Sequence, residues 1–126
     1  MIEKIQPADL PEPKGHYSPA VEFNGLIFVS GQLPMNHATG EVETGDIEKQ
    51  TEIALRNVEA ILTAANSDLS RVLQMTIYIS DIEDWGAVNE VYKKILGEHK
   101  PARAIVPVKD LHFVTKIEIQ AIAAVR

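Results

Sequence analysis

Val21-Glu22-Phe23-Asn24-Gly25-Leu26-Ile27-Phe28-Val29-Ser30 is the stretch from which the rest of the chain can be organised. Asn-Gly between two apolar runs supplies the two positive-φ residues of a type I′ turn, so the segment predicts a β-hairpin. Gly31 and Pro34 are expected to end its second strand, and Asn36 to Gly45 reads as a polar loop. Upstream, the Pro-rich run from Pro7 to Pro13 is too short to join two domains.

Downstream, the apolar period changes from two to that of a helix. Asp46 can cap a helix from Ile47 to about Ala65, in which Ile47, Ala54, Leu55, Val58, Ile61, Leu62 and Ala65 form one face and Asn66 is the stop. Val72 to Ile79 alternates as a strand, with Leu73, Met75, Ile77 and Ile79 on one side and Val72, Gln74, Thr76 and Tyr78 on the other. Asp84 can cap a second helix from Trp85 to Leu96, ended by Gly97, with Trp85, Val88, Val91, Tyr92, Ile95 and Leu96 on its apolar face. Arg103 to Val108 is a short β segment whose Pro107 argues for an edge or a bulge. Lys116 to Val125 closes the chain as a strand, with Ile117, Ile119, Ala121, Ala123 and Val125 sharing one face.

The order ββαβαββ is an α+β pattern, a mixed sheet with two helices. Two helices cover one face of such a sheet. The other carries Tyr78, Ile122 and Ala124 beside Gln74, Thr76, Glu118 and Gln120, a half-apolar surface better buried against copies of itself than left in water. Self-association is therefore expected from the count of faces.

Composition narrows the class. The chain has 126 residues, 45% hydrophobic and 24% charged, the balance of one globular domain spanning 1–126. With no cysteine, disulfide scaffolds, thiol nucleophiles and cysteine zinc sites are excluded. The net charge of −6 and the scattering of the 12 Lys and Arg residues argue against a nucleic-acid partner. No signal peptide or apolar membrane span is visible, so a cytoplasmic protein without a membrane partner is expected.

Arg103, after Pro101-Ala102 and at the start of a strand, suits two-point capture of a carboxylate; a lone arginine is more often a surface ion pair. Glu118 lies between Ile117 and Ile119, where a carboxylate partly removed from water can hold or deprotonate a water molecule; the ordinary alternative is a solvent-facing residue or a partner for Lys116. Tyr17 can wall a pocket or pack a loop. Ser30 and Gly31 can line a cleft, but no G-x-S-x-G surrounds Ser30, which argues against a nucleophile. Asn89 is either a cleft residue or simply exposed. His16, His37, His99 and His112 form no HxH or HExxH pair, so no metal site is expected, and no Gly-rich phosphate loop is present.

Taken in order, Gly15-x-Tyr17-Ser18, Ser30-Gly31-Gln32-x-Pro34, Thr39-Gly40-Glu41, Val88-Asn89-x-x-Tyr92, Pro101-Ala102-Arg103 and Ile117-Glu118-Ile119 resemble the reactive-intermediate deaminase (Rid, or YjgF-like) family nearly from end to end. The resemblance implies a chorismate-mutase-like fold, a homotrimer with clefts at subunit boundaries, and hydrolysis of 2-enamine and 2-imino acids to 2-keto acids and ammonia without a cofactor. It implies that Arg103 pairs with the substrate carboxylate and Glu118 activates water. Tyr17, Ser30, Gly31 and Asn89 would shape the cleft, and the backbone at Ile105 would contact the substrate. Two other functions stand beside it: a non-catalytic trimer that binds keto acids, and an endoribonuclease. The chain departs from the family pattern at His16, Pro19, Ile105 and Leu111-His112-Phe113, changes that bear on cleft shape.

Overall fold

The Asn24-Gly25 turn forms as its residues require, with φ of 51° and 78°. It joins β2 (Ala20–Phe23) to β3 (Leu26–Gln32). The computed structural model describes residues 1–126. The other sheet strands are β1 (Glu3–Ile5), β6 (Val72–Ile79), β7 (Ala102–Pro107) and β8 (Ile117–Ala124); β4 (Met35–Asn36) and β5 (Glu41–Val42) make a separate ribbon. The six-stranded sheet has the order β1-β2-β3-β8-β6-β7. Its pairs are antiparallel except β6–β7, which is parallel and crosses over through α2 (Trp85–Leu96). With α1 (Ile47–Ala64), this is a mixed α+β fold with two helices packed on a sheet. Neither helix is long and apolar enough to cross a membrane.

The helix-covered face holds the core. Ala54, Leu55, Val58 and Leu62 of α1 and Val88 of α2 pack with Ile27, Met75, Ile77, Ile117 and Ile119, all fully buried. Apart from Ala54, each such side chain contributes roughly 1.5–3 kcal/mol by leaving water. Asp46 caps α1 by accepting the Lys49 amide at 2.8 Å, and Asn66, at φ 62°, follows its end. Gln50, buried on the same helix face, donates to Gly45 O at 3.0 Å and accepts the Lys116 amide at 2.8 Å, which ties α1 to the start of β8.

Several expectations are corrected. Gly31 does not end β3; the strand runs on to Gln32 through a bulge, since Val29 pairs with Ala121 and Gln32 with Ile119. A second irregularity lies between Val72 and Gln74 of β6. It turns Val72 into the core and leaves Leu73 49% exposed, the reverse of strict alternation. Asp84 makes no side-chain cap; Asp81 instead accepts the Glu83 amide at 3.0 Å in a short turn before α2. The polar loop from Asn36 contains the β4–β5 ribbon, and β1 was not foreseen. As Pro107 suggested, β7 is an edge strand.

The open face carries Phe28, Ile122 and Ala124 beside Gln74, Thr76, Tyr78, Glu118 and Gln120, none of them fully buried. Tyr78 donates to Gln120 Oε1 at 3.3 Å across it.

Candidate functional site

Arg103 pairs in register with Met75 and therefore faces α2. One guanidinium nitrogen donates to Asn89 Oδ1 at 2.9 Å. The guanidinium carbon stands 4.8 Å from the Tyr92 ring centroid and 5.5 Å from that of Trp85. Cation–π contact with two rings restricts the plane of the guanidinium. No carboxylate forms an ion pair with it; the pairs in the structure are Lys49–Glu52, Arg56–Glu59 and Arg126–Asp68. An oriented, half-buried arginine without a counter-ion is a receptor for an anion. Ile105 follows on the same side of the same edge strand.

Tyr92 adds a second unmet group. Its ring is 6% exposed, and its hydroxyl is buried without a hydrogen-bond partner. Burial pushes the phenol pKa up, and the charge of Arg103 pulls it part of the way back. Leaving such a hydroxyl unpaired costs about 1–3 kcal/mol.

Glu118 pairs in register with Tyr78 and lies on the opposite face, the open one. It reaches over the β3 bulge. A methyl group added at Gly31 would collide with its carboxylate, whose carbon would be 2.9 Å away, so the absent side chain of Gly31 makes the seat for Glu118. Glu118 makes no ion pair with Lys116. Burial raises its pKa above the usual carboxylate range, opposed by the positive charge of nearby His112. A carboxylate with raised pKa and no fixed partner can accept and return a proton.

Ser30 donates its hydroxyl to Ser18 O at 2.7 Å, and its amide bonds to Pro19 O at 2.9 Å, so the bulge anchors the loop carrying Tyr17. Gln32 donates to Ser30 O at 3.0 Å and is itself bonded to His37 Nε2 at 2.9 Å. The Ser30 hydroxyl is thus engaged in holding a loop. Tyr17 is 54% exposed. Phe113 stacks on His112 at 3.8 Å between ring centroids. Phe113 and Val114 both have left-handed backbone, with φ of 58° and 56°.

The expected residues thus fall into two groups. Arg103, Asn89 and Ile105 lie together on the helix side at the β7 edge; Ser30, Gly31 and Glu118 meet at the β3 bulge, with Glu118 on the open face and Tyr17 on the loop that Ser30 anchors. One chain does not bring Arg103 and Glu118 into the same site. Trp85 and Tyr92 were foreseen as core of α2, not as the bed of Arg103; their i, i+7 spacing on the helix bearing Asn89 was the available signal. No cluster of three or more His, Asp or Glu is arranged to hold a metal.

Comparison with known proteins gives a consistent result. The profile of the family described as endoribonuclease L-PSP matches residues 8–125. The chain is 43% identical over 123 residues to the RutC family protein PH0854 of Pyrococcus horikoshii, covering 98% of each chain. It is 37% identical over 126 residues to an Escherichia coli protein named "Putative reactive intermediate deaminase TdcF", covering 98% of this chain and 97% of that one. The crystal structure of E. coli TdcF with bound serine superposes with a TM-score of 0.90 at 35% identity, over 98% of this chain and 99% of the other. That of the YjgF gene product from E. coli also gives 0.90, at 36% identity, over 98% and 99%.

Proposed function

The chain belongs to the endoribonuclease L-PSP family, and from that membership we propose that it hydrolyses reactive 2-imino acids and their enamine tautomers, of the 2-aminoacrylate type, to 2-keto acids and ammonia. One observation carries the reading. Arg103 and Glu118 are each held in place, each lacks an ionic partner, and they lie on opposite faces of one sheet. A working site then needs the β7–α2 edge of one subunit set against the open face of the next. Such a head-to-tail contact closes as a ring, here a homotrimer with three equivalent clefts.

In each cleft Arg103 grips the substrate carboxylate, with Asn89 and the two aromatic rings fixing its plane and the backbone at Ile105 meeting the substrate beside it. Glu118 of the neighbouring subunit holds a water against the imine carbon, in a pocket shaped by Tyr17, Ser30 and Gly31. With the imine nitrogen protonated, the water oxygen bonds to carbon and Glu118 takes a water proton. Glu118 returns that proton to nitrogen. The carbon–nitrogen bond of the adduct then breaks, ammonia leaves, and the hydroxyl proton passes to solvent as the carbonyl forms. Free imines hydrolyse unaided in water, so positioning supplies most of what is needed and neither metal nor organic cofactor enters.

A pyridoxal-phosphate lyase that releases 2-aminoacrylate, coupled to keto-acid detection, tests the reading. Keto acid should form faster with the protein than without it, and an unchanged rate refutes catalysis. A second reading, a non-catalytic binder of small carboxylates, is favoured by the serine bound to E. coli TdcF. It requires Arg103 but not Glu118. The endoribonuclease reading draws on the family name alone and runs against the net charge of −6.

A further inference from the structure

Within its own subunit, the charge that acts on Glu118 is that of His112. The other titratable groups on the elements around the carboxylate are Tyr78, in register on β6, Lys116, just before β8, and His16 with Tyr17 on the loop that Ser30 anchors. The bulge of β3 supplies none. In the assembled cleft, Arg103 of the neighbouring subunit joins them. His112 and Gly31 line one cavity, and the Glu118 carboxylate occupies the space that a side chain at Gly31 would take. Yet no ion pair closes between His112 and Glu118. A salt bridge would engage the carboxylate lone pairs. A cation held further off favours the ionised form and leaves those lone pairs free for water.

The turn that carries His112 holds it in place. Phe113 and Val114 are consecutive non-glycine residues in left-handed backbone, a strain that persists only where its surroundings enforce it. The Val114 amide donates to Leu111 O at 3.0 Å, and buried Thr115 donates its hydroxyl to His112 O at 3.0 Å. The Phe113 ring lies against the imidazole, tilted by 36°. His112 itself stays exposed, in exchange with water. Imidazoles acquire their charge as pH falls through about 8 to 5, the range in which a carboxylate base begins to be lost. We propose that His112 is a positioning residue for the hydrolysis: as an imidazolium it is the counter-charge that keeps Glu118 ionised, and so able to take the water proton, in mildly acid solution. The inference rests on the deaminase reading and adds to it the residue that sets the acid edge of activity.

The test is the pH dependence of kcat/KM in wild type, His112→Asn and His112→Lys, with the imine-generating enzyme in excess at each pH. Asparagine removes the charge and lysine keeps it. With the cation gone, Glu118 takes up its proton at higher pH. The rate of His112→Asn relative to wild type should therefore fall by about threefold or more between about pH 8 and pH 5, and His112→Lys should restore the acid limb. A loss by the same factor at every pH marks a merely structural role and overturns the proposal. So does an acid loss in His112→Lys equal to that in His112→Asn. Thermal melts report folding, and His112→Gln is the neutral variant to use if His112→Asn does not fold. Carbon-13 NMR of the Glu118 carboxyl gives a second readout that needs no substrate. Its titration should move to higher pH in the neutral variant and not in His112→Lys; titrations that coincide in all three proteins overturn the proposal. If wild type hydrolyses no imine at any pH, the deaminase reading fails on its own, and the NMR titrations decide whether His112 is the counter-charge of Glu118.

Discussion

Mixing two inactive variants should restore activity if each cleft draws Arg103 from one subunit and Glu118 from the next. Arg103→Ala removes the carboxylate grip while keeping Glu118. Glu118→Gln removes the base while keeping Arg103, and should cost about 10²-fold or more in kcat. In a ring of three, a heterotrimer of either 2:1 composition contains one junction at which the Arg103-bearing edge and the Glu118-bearing face are both intact. Dually tagged heterotrimers should therefore recover about a third of wild-type activity, and an unfractionated equal mixture about a quarter. The recovery follows from Arg103 pairing with Met75 on the covered face while Glu118 pairs with Tyr78 on the open one. The variants would be co-expressed with different tags and purified through both. Light scattering should give about three times the 13.9 kDa chain mass, and the coupled assay then follows keto-acid release. If both residues acted from one chain, every mixed site would keep one defect and no activity would return. Heterotrimers no more active than the single variants, or a monomer in light scattering, would refute the split cleft.

Glu118→Gln should also alter stability with pH. Burial raises the Glu118 pKa, so the folded state favours the protonated acid; that contribution is present below the ordinary carboxylate range and is lost as pH rises through the folded value. The variant should melt above wild type at pH 7 at equal concentration, with the gap closing as pH falls below about 4; a gap that widens on acidification would contradict the burial. Tyr92→Phe removes a buried hydroxyl that has no partner, so thermal unfolding should show a gain of about 1 kcal/mol or more, and a loss would mean that the hydroxyl is bonded in solution. Val114 is 91% exposed with φ 56°, a conformation awkward for a β-branched residue, so Val114→Asn should stabilise by about 1 kcal/mol, a few degrees in Tm, and an unchanged Tm would mean that the loop relaxes.

The elements most legible in the sequence were those whose signal is local. Asn24-Gly25 specified its turn, and the helical period with Asp46 and Asn66 specified α1. Alternation in β8 is uninterrupted, so Ile117 and Ile119 were correctly given to the core. Leu73 failed because one irregularity in β6 shifts the faces on either side of it, and nothing in Val72-Leu73-Gln74 announces one. Gly31 does announce one, since an isolated glycine in an apolar strand marks a bulge, although a glycine with a proline close behind also reads as a strand end. Three-residue β1 has no pattern of its own and is a strand because β2 offers it an edge. Arg103 and Glu118 were visible as residues and joined by resemblance. Their placement on opposite faces depends on the parallel β6–β7 register, which only tertiary structure supplies.

The bulge at Ser30-Gly31 does more for the candidate site than any single polar residue. An extra residue in β3 breaks the ladder where Gln120 would otherwise be flanked on both sides, and the bend gives Glu118 a surface without a Cβ to lie on. It also aims the Ser30 hydroxyl at Ser18 O, fixing the loop that carries Tyr17. Beyond it, Gln32 returns to the covered face, 3% exposed, and its amide holds Ser30 O on one side and His37 on the other. A regular strand at this point would put a side chain where the carboxylate sits and leave the Tyr17 loop without its anchor. The site thus depends on an irregularity in the backbone, and the flanking hydrogen bonds are what keep that irregularity from sliding along the strand.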